Sequence, residues 1–221
     1  MRNSASLGFR SEKALIAWID ILGASHLSNG ELEMFSSLLS QTTAFSSGVS
    51  SPIQLSDENR VNAILIGDAV CITQSYESQP NRNFVATTAL NISSTLFTLG
   101  LPHRGVLVEG AVRCSPANPD YLGGRYITGT GVIRAYQIER DQKIVGMLVA
   151  EELLAEAAHW APPWGGAPFQ LLRNESVQHF LTSPEHLKLW SDLAERKSPE
   201  HQYSRDAKAM LDAHKLAKGE H

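Results

Sequence analysis

Apolar residues occupy both parities of residues 13–21, KALIAWIDI, which predicts a short strand buried on both faces and ended by Gly23. From Glu31 to about Phe45 the pattern changes: Leu32, Phe35, Leu38 and Leu39 recur at helical spacing. Residues 46–60 are rich in Ser, Gly, Pro, Asp and Asn and predict a loop. VNAILI at 61–66 and Ala69–Gln74 predict two strands, and Gly67-Asp68 between them suits a two-residue hairpin turn. Residues 80–99 carry Phe84, Ala89, Ile92, Leu96 and Leu99 along one helical side, and RGVLVEGAVR at 104–113 predicts the next strand. A Pro- and Gly-bearing loop over 114–128, a helix over 130–139, a strand over 143–150 and a helix over 151–159 follow. Residues 160–168 form a Pro/Gly-rich break, and the remainder predicts two short polar helices.

Strand, helix, strand, strand, helix, strand is the βαββαβ order of a ferredoxin-like α+β core, with a mainly antiparallel sheet and helices on one face. The pattern divides the chain into a loose arm at 1–12, a core domain at 13–160 and a C-terminal helical extension at 161–221. No internal repeat interrupts it.

Composition narrows the function. With 43 % hydrophobic and 19 % charged residues in 221, the chain can bury a core without staples. A net charge of −4 gives no global field for nucleic acid. The apolar run Ala14–Ile19 ends at an aspartate and is too short for a membrane span, and nothing at the N-terminus reads as a signal peptide, so a cytoplasmic protein is expected. Cys71 and Cys114 are too few for a disulfide framework, and the eight scattered histidines show no zinc-ligand spacing. Cys71 reads as a small core residue and most histidines as solvated.

Two aspartates stand out. Asp20 ends the first strand and Asp68 sits at the hairpin, so in a βαββαβ sheet both reach one edge. A carboxylate adjoining ALIAWI costs several kcal/mol in principle unless satisfied. Paired carboxylates with a backbone carbonyl suit hard cations such as Mg²⁺ or Mn²⁺, and two such ions clamp the oxygens of a phosphoryl transfer. The small residues Gly23, Ala24 and Ser25 after Asp20 would let backbone amides cradle a triphosphate.

Four segments resemble the class III nucleotidyl cyclases. Ala17-Trp18-Ile19-Asp20-Ile21-Leu22-Gly23-Ala24-Ser25 resembles their first metal-binding segment, and Ile64-Leu65-Ile66-Gly67-Asp68 their second. Leu101-Pro102-His103-Arg104-Gly105 with Val106–Gly110 is similar to the next core strand, and Gly129–Glu139 to the dimer-crossing helix. The resemblance spans residues 13–150 and implies two divalent ions per site, Mn²⁺ or Mg²⁺, on Asp20, Asp68 and the Ile21 carbonyl. It further implies triphosphate binding by Gly23, Ala24 and Ser25, a phosphate-facing Arg104 and a homodimer with its active sites between subunits. Arg113, Arg125, Arg134 and Lys143 are weaker candidates for the positive charge, and Glu139 reads as structural or interfacial.

The base-binding Lys and Asp of the purine cyclases are replaced here by Ile64 and Tyr126, and their helix Asn and Arg by Ile133 and Gln137. The compact form, Asp-Ile-Leu-Gly, Pro-x-Arg-Gly and Ala-Tyr-x-x-Glu resemble the pyrimidine cyclases of bacterial Pycsar anti-phage systems. That implies conversion of UTP, or of CTP, to cyclic UMP or cyclic CMP, with Ile64 and Tyr126 beside the base and an effector acting downstream. Two alternatives stand beside it: an inactive nucleotide-binding or dimerisation module, and a purine cyclase. A diguanylate-cyclase-like domain fits less well, since Ile66-Gly67-Asp68-Ala69-Val70 lacks the Gly-Gly-Asp/Glu-Glu-Phe hairpin.

Overall fold

The computed structural model describes residues 10–22, 29, 30, 33, 37, 61–74, 79–98, 101, 103–114, 126–142, 145–161, 169–173 and 179–182, and single positions at 191, 208, 211, 212 and 215. Its strands are β1 (Arg10–Ile21), β2 (Val61–Ile66), β3 (Ala69–Gln74), β4 (His103–Cys114), β5 (Ile127–Thr128), β6 (Gly146–Val149), β7 (Gln170–Arg173) and β8 (His179–Thr182). Its helices are α1 (Gln79–Thr98), α2 (Thr130–Asp141) and the short α3 (Leu154–Ala157), the last entered by a 3₁₀ turn at Glu151–Leu153. The eight strands form one sheet in the order β2-β3-β1-β4-β6-β8-β7, with β5 beside β4. Every pairing is antiparallel except β4 with β6.

The predicted core is present: β2-β3-β1-β4 is the strand order of the βαββαβ arrangement. β1 begins at Arg10, so the end of the expected loose arm is already strand, paired through Arg10 with Arg113. The helix predicted from Glu31 lies almost wholly outside the described residues; Asn29, Gly30, Glu33 and Ser37 are helical and exposed.

The double parity of β1 has its explanation in the layers. Leu15, Ala17, Ile19 and Ile21 face one cluster, with Val85, Ala86, Ala89, Ile92 and Leu96 of α1. Ala14, Ile16 and Trp18 face a second cluster with Val132 and Ala135 of α2. The expectation of helices on one face therefore holds for α1 and for Leu153 and Ala157 around α3, whereas α2 covers the opposite face. A strand apolar on both parities needs a layer on each side.

The sheet also runs on into the segment expected to be a helical extension. β7 and β8 add an antiparallel hairpin beside β6, burying Leu172, Phe180 and Leu181. Their four-residue length is too short for periodicity to separate strand from helix. Ser191, Lys208, Leu211, Asp212 and Lys215 further on are helical. No helix among the described residues is long and apolar enough to cross a membrane.

Cys71 and Cys114 are buried free thiols, both pushed up by burial, Cys114 to about 12, which suits core packing and not nucleophilic chemistry. His103 departs from the expected solvated histidine. It is fully buried against Ser93 and the Leu101 carbonyl, and burial holds its pKa down to about 4.

Candidate active site

The β1–β3 and β1–β4 registers carry the site. Asp20 stands opposite Ala69 on one side and Arg104 on the other. Directly opposed residues share a sheet face, so Ile66, Ala69, Asp20 and Arg104 form one row across four strands, on the side covered by α2. Gly67 turns the hairpin at φ +63, a left-handed conformation that glycine adopts without strain. Asp68 follows and is exposed, and its carbonyl accepts a 3.2 Å hydrogen bond from the Ile21 amide. The hairpin tip is thus fastened to the end of β1, with both carboxylates at one sheet edge.

The electrostatics agree. Asp20 is raised above the usual carboxylate range, first by partial burial and then by the negative charge of Asp68; Arg104 pulls the other way. Two like charges crowded at an edge are what a divalent cation relieves, and the donors are all hard oxygens. The residues therefore fit the implied dications, which the Asp20 and Asp68 carboxylates and the Ile21 carbonyl would hold. Among the described residues no group of three or more His, Cys, Asp or Glu forms a metal cluster.

Arg104 is the cation at this edge. Its guanidinium stands 3.5 Å from Asp20 Oδ2 and 3.0 Å from Glu139 Oε1, and donates to the Gln142 carbonyl at 2.8 Å. Glu139, expected to be structural or interfacial, pairs with Arg104 beside the Asp20 edge. Burial and the charges of Asp20 and Asp68 outweigh Arg104 and push it up to about 7. Val132, Ala135 and Glu139 share the buried stripe of α2, and a carboxylate on such a stripe needs a partner; which partner depends on where α2 meets the sheet.

The other candidates divide. Ile64 is half-buried and pairs with Cys71, which pairs with Trp18; it lies on Asp20's face, one same-face step back from the edge. Tyr126 is not brought to the aspartates within one chain. It precedes β5, which pairs with Arg113 and Cys114 at the far end of β4 from Arg104, about 30 Å along the strand. Gly23, Ala24, Ser25, Arg125 and Lys143 lie outside the described residues. Arg134 is held by both carboxylate oxygens of Glu152, and Arg113 is exposed at the far end of β4. Ile133 and Gln137 are exposed on the outer side of α2, as is Tyr136, whose ring meets Trp18 edge-on at 6.0 Å.

No protein-family profile matches the chain, and no curated protein matches its sequence. Solved structures do resemble it. The adenylyl cyclase CyaB of P. aeruginosa matches with a TM-score of 0.52 at 14 % identity, over 79 % of this chain and 96 % of that one. The dimeric guanylyl cyclase domain of the RhoGC fusion protein from the aquatic fungus Blastocladiella emersonii gives 0.51 at 15 % identity, over 78 % and 97 %. A bacterial light-regulated adenylyl cyclase gives 0.52 at 15 % identity, over 93 % of this chain and 58 % of that one. Strand order, the Asp20–Asp68 edge and these likenesses together establish that the chain has the fold of a nucleotidyl cyclase domain.

Proposed function

We propose that this chain is a nucleotide cyclase that converts a pyrimidine nucleoside triphosphate, UTP in preference to CTP, to its 3′,5′-cyclic monophosphate and pyrophosphate. The observation that carries the reading is the fastening of Asp68 beside Asp20 on a cyclase fold. Asp20, Asp68 and the Ile21 carbonyl would hold two divalent ions, Mn²⁺ or Mg²⁺, which when bound supply Lewis acidity at the ribose 3′-oxygen and the triphosphate. The chain's own groups position and neutralise. The amides of Gly23, Ala24 and Ser25 orient the triphosphate, and Arg104 offers its guanidinium to a phosphate oxygen. The 3′-oxygen bonds to the α-phosphorus and loses its proton to water. The bond from the α-phosphorus to the bridging oxygen breaks, and pyrophosphate leaves with the electron pair.

The pyrimidine preference rests on Ile64, which has no donor for a purine and lies on the Asp20 face. Tyr126 reaches an Asp pair only across an interface between two copies, which favours a homodimer with its sites shared. The cyclic nucleotide would then act in the cytoplasm as a second messenger for an anti-phage effector. A second reading, an inactive nucleotide-binding or dimerisation module, draws on the exposed Ile133 and Gln137, which offer no Asn or Arg to a transition state.

Purified chain incubated with Mn²⁺ and each of ATP, GTP, CTP and UTP decides between them, with products identified by mass. The expected result is cyclic UMP or cyclic CMP, reduced at least a hundredfold in Asp68→Ala. A cyclic purine product would replace the base assignment. No product from any triphosphate, with nucleotide still bound, would establish the inactive module.

A further inference from the structure

Arg104 lies between the end of β1 and the last turn of α2. On the sheet side it stands opposite Asp20, at 3.5 Å. On the other side the last turn of α2 holds it, through Glu139 at 3.0 Å and the Gln142 carbonyl at 2.8 Å. Glu139 is itself buried, so it has little water to fall back on, and the same nitrogen of Arg104 meets both carboxylates. The shorter contact is the one to Glu139. Among the described residues the other carboxylate paired with this guanidinium is Asp20.

From this geometry we infer that Glu139 is a positioning residue of the site: by drawing Arg104 toward the end of α2, it holds the guanidinium to a long 3.5 Å hydrogen bond with Asp20 Oδ2 and so weakens its competition with a divalent cation for that carboxylate. The inference rests on the cyclase reading for its purpose, but its chemistry is separate, because it concerns competition between Arg104 and a dication for Asp20. An arginine and a metal ion cannot share the same carboxylate lone pairs, so whatever draws Arg104 away favours the ion. The Gln142 carbonyl adds direction: it takes the other terminal nitrogen and fixes the plane of the fork.

The test is a double-mutant cycle on Mn²⁺ affinity at about pH 8, where Glu139 is ionised, read by calorimetry on the full chain, with Glu139→Gln, Arg104→Gln and the pair. Glu139→Gln keeps the side-chain shape and is expected to weaken Mn²⁺ binding about tenfold, the order of one charge-assisted contact. In the Arg104→Gln background the same change should cost less than about threefold, since only a distant charge is then lost. Glu139→Asp, which keeps the charge, should restore affinity at least in part. If Glu139→Gln proves poorly folded by its thermal midpoint, Glu139→Met, which removes the charge and fills the buried space, forms the cycle with Arg104→Gln instead.

An unchanged affinity in Glu139→Gln overturns the inference, as does an equal loss with and without Arg104. Absence of Mn²⁺ binding by the unaltered chain overturns it together with the metal assignment. A coupled cycle in a chain that cyclises no triphosphate supports the inference and rejects only the proposed activity.

Discussion

Among the described residues, Glu139 is a buried carboxylate that titrates near neutral pH. Folding raises it from an ordinary 4.5 to about 7, chiefly by burial. Between those values the folded chain holds a proton that the unfolded chain has released. Stability from this group is therefore greatest at the acid end of the window and declines as pH rises through it. Asp20, also raised, contributes in the same direction from its own lower starting point. In the absence of divalent ions, the thermal midpoint of the native chain should fall from about pH 5.5 to about pH 8 relative to that of Glu139→Gln, whose amide does not titrate. Parallel pH profiles for the two proteins would show that Glu139 is not the group responsible. The aspartates were readable from sequence because each ends or turns an apolar strand. The role of Glu139 was not, because it depends on where the last turn of α2 meets β4, and that is a tertiary fact.

At the scale of elements, α2 owes its place to two glycines. A side-chain carbon on Gly110 of β4 would stand 2.5 Å from the Cα of Gly131 in α2, and one on Gly131 would collide with Ile16 and the Gly110 backbone. At Gly110 the atoms met are all backbone, with no flexible tip to move aside. Gly110→Ala should lift the first turn of α2 off the sheet and destabilise the fold by about 1–3 kcal/mol in chemical denaturation. It should also lower Mn²⁺ affinity, because Glu139 rides on the same helix; stability and affinity both unchanged would count against this contact. The boundaries of β1 to β4 were close to those read from alternation and turn residues. The face taken by α2 was not legible, since a helix with Val132, Ala135 and Ile138 inward fits either side of a sheet apolar on both. β7 and β8 escaped for a simpler reason: the hydrophobic run in each is too brief to define a period.

Among the described residues the centre of the sheet is covered on both faces. β1 lies between β3 and β4 with Leu15 to Ile19 nearly sealed from solvent, whereas β2 is the last strand on its side and its hairpin ends in the exposed Ile66, Gly67 and Asp68. The two carboxylates at the site therefore belong to parts of the protein that open to solvent with different free energies. Asp20 is carried by a strand whose amides should exchange hydrogen only when the entire domain unfolds. Asp68 is carried on the exposed turn that joins β3 to β2, the last strand on its side. A cation gripped by both joins the hairpin to the central strand, so Mn²⁺ should slow deuterium uptake in peptides covering residues 61–74 and leave those covering 14–19 as they were. Equal slowing in both peptides, or in neither, would mean that the ion does not bridge them. Where it does, the metal-loaded protein acquires a longer-lived edge strand, and the first part of the molecule to report loss of the ion is the strand farthest from β7.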